Sequence, residues 1–261
     1  HNTSMIYTLT LNPALDKTCL VDCLSINEIS RIQSSVVESG GKGFNVSRAL
    51  TRAGIANQAF GFVGGNTGEI LLEGLIADEL DVFPLKIAGE TRVNQVFKDS
   101  NQQTIKVNAQ GPRIHPDELQ ALSNVVTEKT KPSDIWVLSG SLPQNIPPTI
   151  YADLIQQIHD ARGFVLLDSS GVSFQMGLSS GPEWIKPNLQ EAQFVFPNIT
   201  RTVDILDAFH QMGVREMMLS LGANGLLYST CQYRYRVRVP VVNNDNVVGA
   251  GDATVAGFLF G

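Results

Sequence analysis

The chain is poor in cysteine, which excludes two kinds of stabilising site. Only Cys19, Cys23 and Cys231 occur among its 261 residues. So sparse and odd-numbered a set does not build a disulfide framework, and no second pair or histidine cluster completes the spacing of a zinc site. We interpret Cys19 and Cys23 as small residues in a strand or its turn.

Long apolar runs and blocks of basic residues are also lacking. No apolar stretch approaches the ~20 residues that cross a bilayer, and no signal peptide is recognisable. The 19 Lys and Arg residues against 25 Asp and Glu residues give a net charge of -6. This charge pattern predicts binding neither to nucleic acid nor to a membrane surface, and we expect a cytoplasmic protein.

What the chain does have is ordinary globular material, 43% hydrophobic and 17% charged. Its length predicts one large core, and we expect a single domain over residues 5–261. Residues 1–4, which precede a start-like Met5, have the character of an expression scar. The last segment, 253–261, reads as an apolar helix that stops partway, so we expect the C-terminal part of the fold to be missing.

Short apolar strands alternate with helical segments along most of the chain. The predicted strands are 5–11, 59–63, 134–139, 164–168 and 217–221. The predicted helices are 44–53, 67–80 and one through 151–158. This alternation predicts an α/β fold whose parallel sheet is covered by helices on both faces.

Two regions, 18–38 and 91–108, break the alternation because each holds short strands of mixed polarity with no helix between them. They could form a small separate sheet over one edge of the main domain and act as a lid. The residues alone equally allow them to extend the main sheet.

The most suggestive local motif is Gly249-Ala250-Gly251-Asp252, followed at once by the apolar helical run. Small residues at a helix start let backbone N–H groups converge on an anion, and the helix dipole adds to the attraction. An aspartate in the first turn can accept a proton from an attacking hydroxyl. The alternative is a tight loop with a helix-starting Asp.

A second glycine cluster, residues 40–43, leads into the helix that carries Asn45. It is not a Walker loop, since GxxxxGK[ST] is absent. Gly41 would permit close approach of backbone to a polar ligand, and Lys42 and Asn45 would donate hydrogen bonds to hydroxyls or phosphate. A strand-to-helix turn that only needs positive φ is the alternative.

A third motif, Lys186 to Glu191, contains Asn188 three residues before Glu191 on one face of a helical first turn. The pair has the spacing of a capping box, and it could equally hold a hydrated magnesium ion. Three further residues are single candidates. Asp16 follows the first strand through a turn, and Arg31 and Arg92 could clamp a phosphate because a guanidinium binds its oxygens in a fork.

In combination these segments resemble the ribokinase-like (PfkB) family of sugar kinases, in its 1-phosphofructokinase and tagatose-6-phosphate kinase branch. Seven stretches carry the resemblance in family order and span nearly the whole chain. They are TLNPALD (10–16), GGKGFNVSRAL (40–50), ETRVN (90–94), SGSLP (139–143), KPNLQEA (186–192), SLGANG (220–225) and VGAGDATVAGF (248–258).

The resemblance implies a three-layer α/β/α domain with a mostly parallel sheet, a small β-sheet lid and a homodimer formed through that lid. It implies ATP and Mg²⁺ as cofactors, an anion hole at residues 249–251 and Asp252 as the catalytic base. The implied sugar-site residues are Asp16, Gly41, Lys42 and Asn45, with Arg92 and, more weakly, Arg31 on the substrate's phosphate. The implied residues at the ATP phosphates, the magnesium and the nucleotide are Lys186, Asn188, Glu191, Ser220, Gly222 and Gly225.

Lys42 and Arg92 would be surplus for a neutral sugar, so the substrate is predicted to carry a phosphate already. Fructose 1-phosphate, converted to fructose 1,6-bisphosphate, is the first choice, and tagatose 6-phosphate is the alternative. A kinase for another sugar or a nucleoside stays open, as does a non-catalytic sugar-phosphate sensor. A sensor would have no need of Asp252.

Overall fold

The computed structural model describes residues 4–238 and 249–260. Of the predicted expression scar only Ser4 is among them, and the first residue of the last matching stretch, Val248, and the final Gly261 also lie outside the described ranges. Within those ranges, no helix is both long enough and apolar enough to cross a membrane.

Nine strands of the described chain form the main sheet, in the spatial order β13-β12-β11-β10-β9-β8-β1-β4-β5. From β11 to β5 neighbouring strands are parallel, and the β12–β13 hairpin adds an antiparallel edge. Its strands are β1 (Ile6–Thr10), β4 (Asn57–Val63), β5 (Val82–Lys86), β8 (Ile135–Ser139), β9 (Phe164–Asp168), β10 (Trp184–Ile185), β11 (Glu216–Ser220), β12 (Leu226–Thr230) and β13 (Arg234–Val237).

Helices cover both faces of this sheet because the buried side chains of its strands alternate between the two faces. The helices are α1 (Lys42–Arg52), α2 (Gly65–Ala77), α3 (Pro116–Lys129), α4 (Ile150–Asp160), α5 (Gly171–Leu178), α6 (Leu189–Val195), α7 (Thr202–Gln211) and α8 (Ala250–Phe260). The cluster of buried side chains on one face comes from α3 to α7, around Trp136 and Tyr151. The opposite face is covered by α1, α2 and α8, around Phe44 and Val255.

A second, four-stranded sheet stands apart from the main one, in the order β3-β2-β6-β7. Its strands are β2 (Ala14–Val21), β3 (Ile32–Gly40), β6 (Arg92–Lys98) and β7 (Thr104–Val107). The two regions that break the helix–strand alternation supply these strands, so they form a separate sheet and do not extend the main one.

The predicted fold class is confirmed: a mostly parallel sheet lies between two helical layers, beside a small second sheet. Most of the predicted boundaries differ from the observed ones by up to three residues, and two of the differences bear on the site. Helix α1 begins at Lys42, two residues early, because Gly41 with φ 144° turns the chain directly into the helix. The chain bends at residues 11–12 after β1, as predicted, but strand β2 begins already at Ala14, so Asp16 lies within a strand of the second sheet.

Candidate active site

The parallel register brings the carboxyl ends of four strands into one row. Thr10 at the end of β1 pairs with Ser139 of β8, which pairs with Asp168 of β9. Leu167 pairs with Ile185 of β10, so the next residue, Lys186, lies beside Asp168. The carboxyl edge of a parallel sheet is where α/β proteins bind ligands, and most of the predicted site residues lie there.

Asp168 is the central charge of this edge. Its side chain is fully buried, and its Oδ1 atom lies 3.1 Å from Nζ of Lys42 and 3.3 Å from Nζ of Lys186. The other oxygen, Oδ2, is buried without a hydrogen-bond partner among the described residues. A buried carboxylate is tolerable when cations neutralise it, and here two lysines from different segments share one oxygen.

The ammonium group of Lys42 is held in its charged form by these carboxylates. Burial alone would lower the pKa of Lys42, but the negative charges of Asp168, Glu191 and Asp252 outweigh burial and raise it. Lys42 therefore remains a cation at the junction of the predicted sugar and nucleotide sites.

The predicted anion hole is the start of α8. Gly249 has φ 89°, a left-handed conformation that favours glycine, and its carbonyl accepts the first helical hydrogen bond from Ala253. A side-chain carbon at Gly251 would lie 3.3 Å from Nζ of Lys186. The lysine therefore reaches the N-terminal end of α8, where helix dipole and ammonium both favour an anion.

Asp252 lies in the first turn of α8 and is 7% exposed. Burial raises the pKa of its carboxyl group, as does Asp168, while a hydrogen bond from Asn45 and the charges of Lys42 and Lys186 lower it. The Nδ2 group of Asn45 donates to Oδ2 of Asp252 over 2.8 Å. The predicted base and one predicted sugar-site residue are thus in direct contact.

Asp16 and Arg92 lie on neighbouring strands of the second sheet, at the end nearest to α1. Oδ1 of Asp16 accepts a hydrogen bond from Nδ2 of Asn94 at 2.9 Å. A side-chain carbon at Gly40 would lie 2.1 Å from Oδ2 of Asp16, so only glycine fits beside this carboxylate. Gly41 is also confined, since a side-chain carbon there would lie 2.8 Å from Cγ2 of Thr10.

The guanidinium group of Arg92 is half-buried. It donates to the carbonyl of Ala109 at 2.7 Å and to the carbonyl of Asn12 at 2.8 Å, while Nε is buried with no partner among the described residues. Burial lowers the pKa of Arg92 and the charge of Asp16 opposes that shift. These contacts leave a partly desolvated cation with donors to spare.

Arg31 lies away from Asp16 and Arg92 within this chain. It is exposed and precedes β3, whereas the residue of β3 that pairs with Asp16 is Glu38. Seven residues of extended strand separate the two positions by about 23 Å. The structure therefore does not bring Arg31 together with Arg92 within one chain.

Asn188 and Glu191 form the capping box that their spacing predicts. Oδ1 of Asn188 accepts from the backbone N–H of Glu191 at 2.8 Å, and Oε2 of Glu191 accepts from the N–H of Asn188 at 2.9 Å. Burial raises the pKa of the Glu191 carboxyl group. Capping engages Oε2 only, so Oε1 remains for a hydrated cation, and carboxylate oxygen is the ligand type that magnesium takes.

A cleft of about 710 Å³ extends from this cap. Ser220 borders it and forms a bridge with Asn188, donating its N–H to the carbonyl of Pro187 at 2.9 Å. Gly222 also lines the cleft. Gly225 does not; it is confined by Val237, whose carbonyl oxygen would lie 2.2 Å from a side-chain carbon there.

Three residues of the site escaped the sequence analysis: Asp168, Arg48 and Asn94. Asp168 ends a buried strand, and an acidic residue at that position of FVLLD was the available signal. Arg48 follows Asn45 by one helical turn within a matching stretch, and Asn94 ends another. None of the three has a local pattern that reports its partners.

Comparison with known proteins gives the context of this geometry. The family described as pfkB family carbohydrate kinase matches residues 9–261. A 1-phosphofructokinase of Bacillus subtilis is 33% identical over 98% of this chain and 85% of its own length. A tagatose-6-phosphate kinase of Staphylococcus epidermidis is also 33% identical, with the same coverage of 98% and 85%.

Solved structures of similar proteins have the same fold. The crystal structure of Escherichia coli phosphofructokinase-2 in complex with fructose-6-phosphate superposes with a TM-score of 0.92 at 27% identity, over 99% of this chain and 86% of that chain. The tetrameric inhibited form of the same enzyme has a TM-score of 0.92 at 28% identity, over 99% and 87%.

The shared carboxylate makes a prediction about Lys42. In an Asp168→Asn variant Lys42 loses a carboxylate that raises its pKa, whereas burial, which lowers the pKa, remains. The pKa of Lys42 should therefore fall, and more of its amine should be unprotonated at pH 8. Acetylation of Lys42 by trace acetic anhydride, followed by mass spectrometry, should become faster. The matched control is Glu69→Gln, which removes the exposed partner of Lys86; the reactivity of Lys86 should change little. Unchanged reactivity of Lys42 would contradict the assigned pairing.

Proposed function

The chain belongs to the pfkB family of carbohydrate kinases, and from that premise we propose that it transfers the γ-phosphoryl group of ATP to a ketohexose monophosphate. The products are a ketohexose bisphosphate and ADP. The observation that carries the proposal is the buried Asp252 in the first turn of α8, next to a helix N-terminus that Lys186 reaches. A sugar-phosphate kinase is also what relatives at 33% identity are named.

Asp252 acts as the general base. Its carboxylate takes the proton from the sugar hydroxyl as that oxygen bonds to the γ-phosphorus and the bond to the bridging oxygen of ATP breaks. Burial, which raises the pKa of Asp252, makes it a better proton acceptor than an exposed aspartate. Asn45 holds the carboxylate in place from α1.

The start of α8 and the ammonium of Lys186 stabilise the negative charge that develops on the transferred group. The backbone N–H groups at residues 249–251 belong to the first turn, where they have no partner within the helix. Lys42 supplies a second cation near the same place, because it contacts the same oxygen of Asp168 as Lys186 does. The chain thus surrounds the reacting phosphate with fixed donors.

Magnesium fits the residues present on the nucleotide side. When bound, it neutralises charge on the ATP phosphates. Glu191 would hold it through water with the carboxylate oxygen that the cap leaves, and the backbone N–H of Asn188 keeps that side chain oriented by donating to Oε2. Ser220 and Gly222 line the cleft proposed for the nucleotide, whereas Gly225 has the indirect role of shaping the turn beside it.

Recognition of a substrate phosphate is the role proposed for Arg92. Its Nε–H is buried and has no hydrogen-bond partner among the described residues, which is costly unless a ligand accepts it. Asp16, held by Asn94, would accept hydrogen bonds from sugar hydroxyls on the same sheet. The second sheet then acts as a lid that carries part of the sugar site.

Fructose 1-phosphate remains the first choice of substrate. Tagatose 6-phosphate is a real second candidate because the relative named for that sugar is as similar as the 1-phosphofructokinase. A sugar-phosphate sensor without catalysis is disfavoured, since a buried base at the helix N-terminus would serve no purpose in it.

We also propose a homodimer through the second sheet. Several apolar side chains of that sheet are exposed, and Val36 at 61% is the most exposed of those on its strands. The others are Leu20, Ile32, Val37, Ile105 and Val107. Val36 and Leu20 lie on the face of the sheet that carries Asp16, and Val37, Ile105 and Val107 lie on the opposite face. Exposed apolar side chains on a small sheet call for a covering partner, and a second copy would satisfy this need. An oligomeric relative of the same fold has been solved as a tetramer.

Replacement of the base gives the first test of this function. Asp252→Asn should retain binding of ATP and sugar phosphate but lower turnover by at least ~10²-fold, the usual worth of a positioned base. Turnover is measured by coupled ADP release and binding by calorimetry. Asp204→Asn, on the first turn of α7, is the control and should keep full activity. Unchanged turnover in Asp252→Asn would refute the role of Asp252.

A substrate panel tests the phosphate clamp. Fructose 1-phosphate, tagatose 6-phosphate, fructose 6-phosphate and fructose are compared for wild type, Arg92→Ala and Arg31→Ala. Loss of a buried charged contact costs about 2–5 kcal/mol, so kcat/KM for the preferred phosphate should fall at least about 30-fold in Arg92→Ala while turnover of fructose stays the same. Arg52→Ala, on the exposed end of α1, is the control. Equal losses with phosphorylated and unphosphorylated sugar would contradict a clamp.

The proposed dimer is tested by placing a charge on its surface. Val36→Glu should shift the protein from dimer to monomer in sedimentation velocity, because a buried unpaired carboxylate is costly. Ile76→Glu adds the same charge at an exposed position of α2 and should leave the assembly unchanged. A wild-type protein that sediments as a monomer at micromolar concentration would rule the dimer out.

A further inference from the structure

The side chain of Arg48 has an unusual set of contacts for a helical arginine. Although it lies on α1, it is only 17% exposed. Its three nitrogen atoms each have a separate acceptor: Nε donates to Asp78 Oδ2 at 2.8 Å, one terminal nitrogen to Asn45 Oδ1 at 2.6 Å and the other to the carbonyl of Ser39 at 2.9 Å. The guanidinium is therefore held rigidly in one position.

One of these contacts decides which way the amide of Asn45 points. A guanidinium only donates, so it must face the oxygen of that amide. The nitrogen, Nδ2, then faces away and donates to Oδ2 of Asp252. If the amide were reversed, its oxygen would point at the carboxylate and repel it.

We infer that Arg48 is a positioning residue for the proposed phosphoryl transfer, because its guanidinium fixes the amide of Asn45, which in turn holds the carboxylate of Asp252. The inference rests on the proposed function only in what Asp252 is used for. The chain of contacts from Arg48 to Asp252 is a property of the fold.

The same guanidinium reaches the sugar side of the site. Ser39, whose carbonyl it binds, is followed by Gly40, which packs against the carboxylate of Asp16. Ser39 is also tied to the body, since its hydroxyl donates to the carbonyl of Leu71 on α2 at 2.9 Å. Arg48 thus links the end of β3, beside the proposed sugar ligand Asp16, to the proposed base.

Loss of Arg48 has a definite sign for the proton chemistry. The groups that face Asp252 come from three segments. They are Asn45 and Lys42 on α1, Asp168 at the end of β9 and Lys186 in the segment after β10. The hydrogen bond from Asn45 favours the charged form, and a mobile or reversed amide no longer supplies it. Asp252 then stays protonated up to a higher pH, which moves the acid limb of activity upward.

The experiment compares Arg48→Met with Arg52→Met, a matched control that removes an exposed arginine one turn later on the same helix. The pH profile of kcat/KM is measured for the full chain with the preferred sugar phosphate. We expect the acid limb of Arg48→Met to move to higher pH and kcat at neutral pH to fall by up to about 100-fold, the scale on which displaced catalytic groups act. Arg52→Met should keep the wild-type profile.

A second readout does not depend on turnover. The carboxyl carbon of Asp252 is followed by ¹³C NMR through a pH titration in wild type and variants, with Asp252→Asn to assign the signal. Its midpoint should rise in Arg48→Met. If the wild-type protein phosphorylates none of the sugars, the proposed function fails, yet this titration still decides whether Arg48 acts on Asp252.

Arg48→Lys covers the case in which the methionine variant does not fold. Lysine can donate to Asn45 but cannot hold the Ser39 carbonyl and Asp78 as well. The titration midpoint of Asp252 in Arg48→Lys should therefore lie between those of wild type and Arg48→Met. If Arg48→Met does not fold, the midpoint in Arg48→Lys should still lie above that of wild type. A folded Arg48 variant in which activity falls while both the acid limb and the carboxyl titration stay at wild-type positions overturns the inference. Asp78→Asn removes only the negative charge of the Nε partner and keeps an oxygen that can accept the bond, so it should leave the titration unchanged.

Discussion

The site depends on one buried ion cluster, the carboxylate of Asp168 with two ammonium groups on a single oxygen. Charges that have lost their water must be neutralised locally, so the segments that carry those charges have little freedom to move apart. Lys42 is the first residue of α1, the helix that carries Asn45 and Arg48. Lys186 follows β10, precedes the cap of α6 and touches the start of α8. One carboxylate therefore fixes the relative positions of sugar-side, nucleotide-side and catalytic segments.

The electrostatic balance of this cluster also suits an anionic substrate. Burial raises the pKa of the carboxyl groups of both Asp252 and Glu191. A phosphate group that binds beside these carboxyl groups needs cations that stay protonated when they are partly buried. Lys42 meets that need because neighbouring carboxylates raise its pKa, and Arg92 because a guanidinium remains charged even when it is partly buried.

Much of the fold was predictable because its signals are local. Phe164–Asp168 was predicted to the residue, since a short run of apolar residues bounded by turn formers has one simple reading. Asp16 was placed after a turn because Asn12-Pro13 interrupts the apolar run, whereas the chain passes there from one sheet to another. Whether the two irregular regions form their own sheet depended on pairings between distant strands, such as β2 with β6, that no local pattern reports.

The site divides in the same way. The glycine turns and the Asn188–Glu191 cap follow from short spacings, and the structure has the cap as its spacing indicates. Asp168 acts through partners as far as 126 residues away, and Arg48 acts through a second side chain, so no window of sequence reports what either residue contacts. Within one chain, Arg31 remains far from the other proposed phosphate ligands. The catalytic and binding roles assigned from the resemblance remain predictions.

The cap of α6 has a consequence for how this chain can vary. Glu191 is at once the residue that closes the first turn of a helix and the residue proposed to hold the hydrated cation. Glutamine could still cap the helix but would lack the negative charge for the cation, and alanine could do neither. Substitutions at this position must therefore satisfy two independent requirements, local folding and ion binding. A protein that no longer acted as a kinase would have to satisfy only the first. A glutamine here would mark a copy of the fold that has kept its shape after giving up its chemistry.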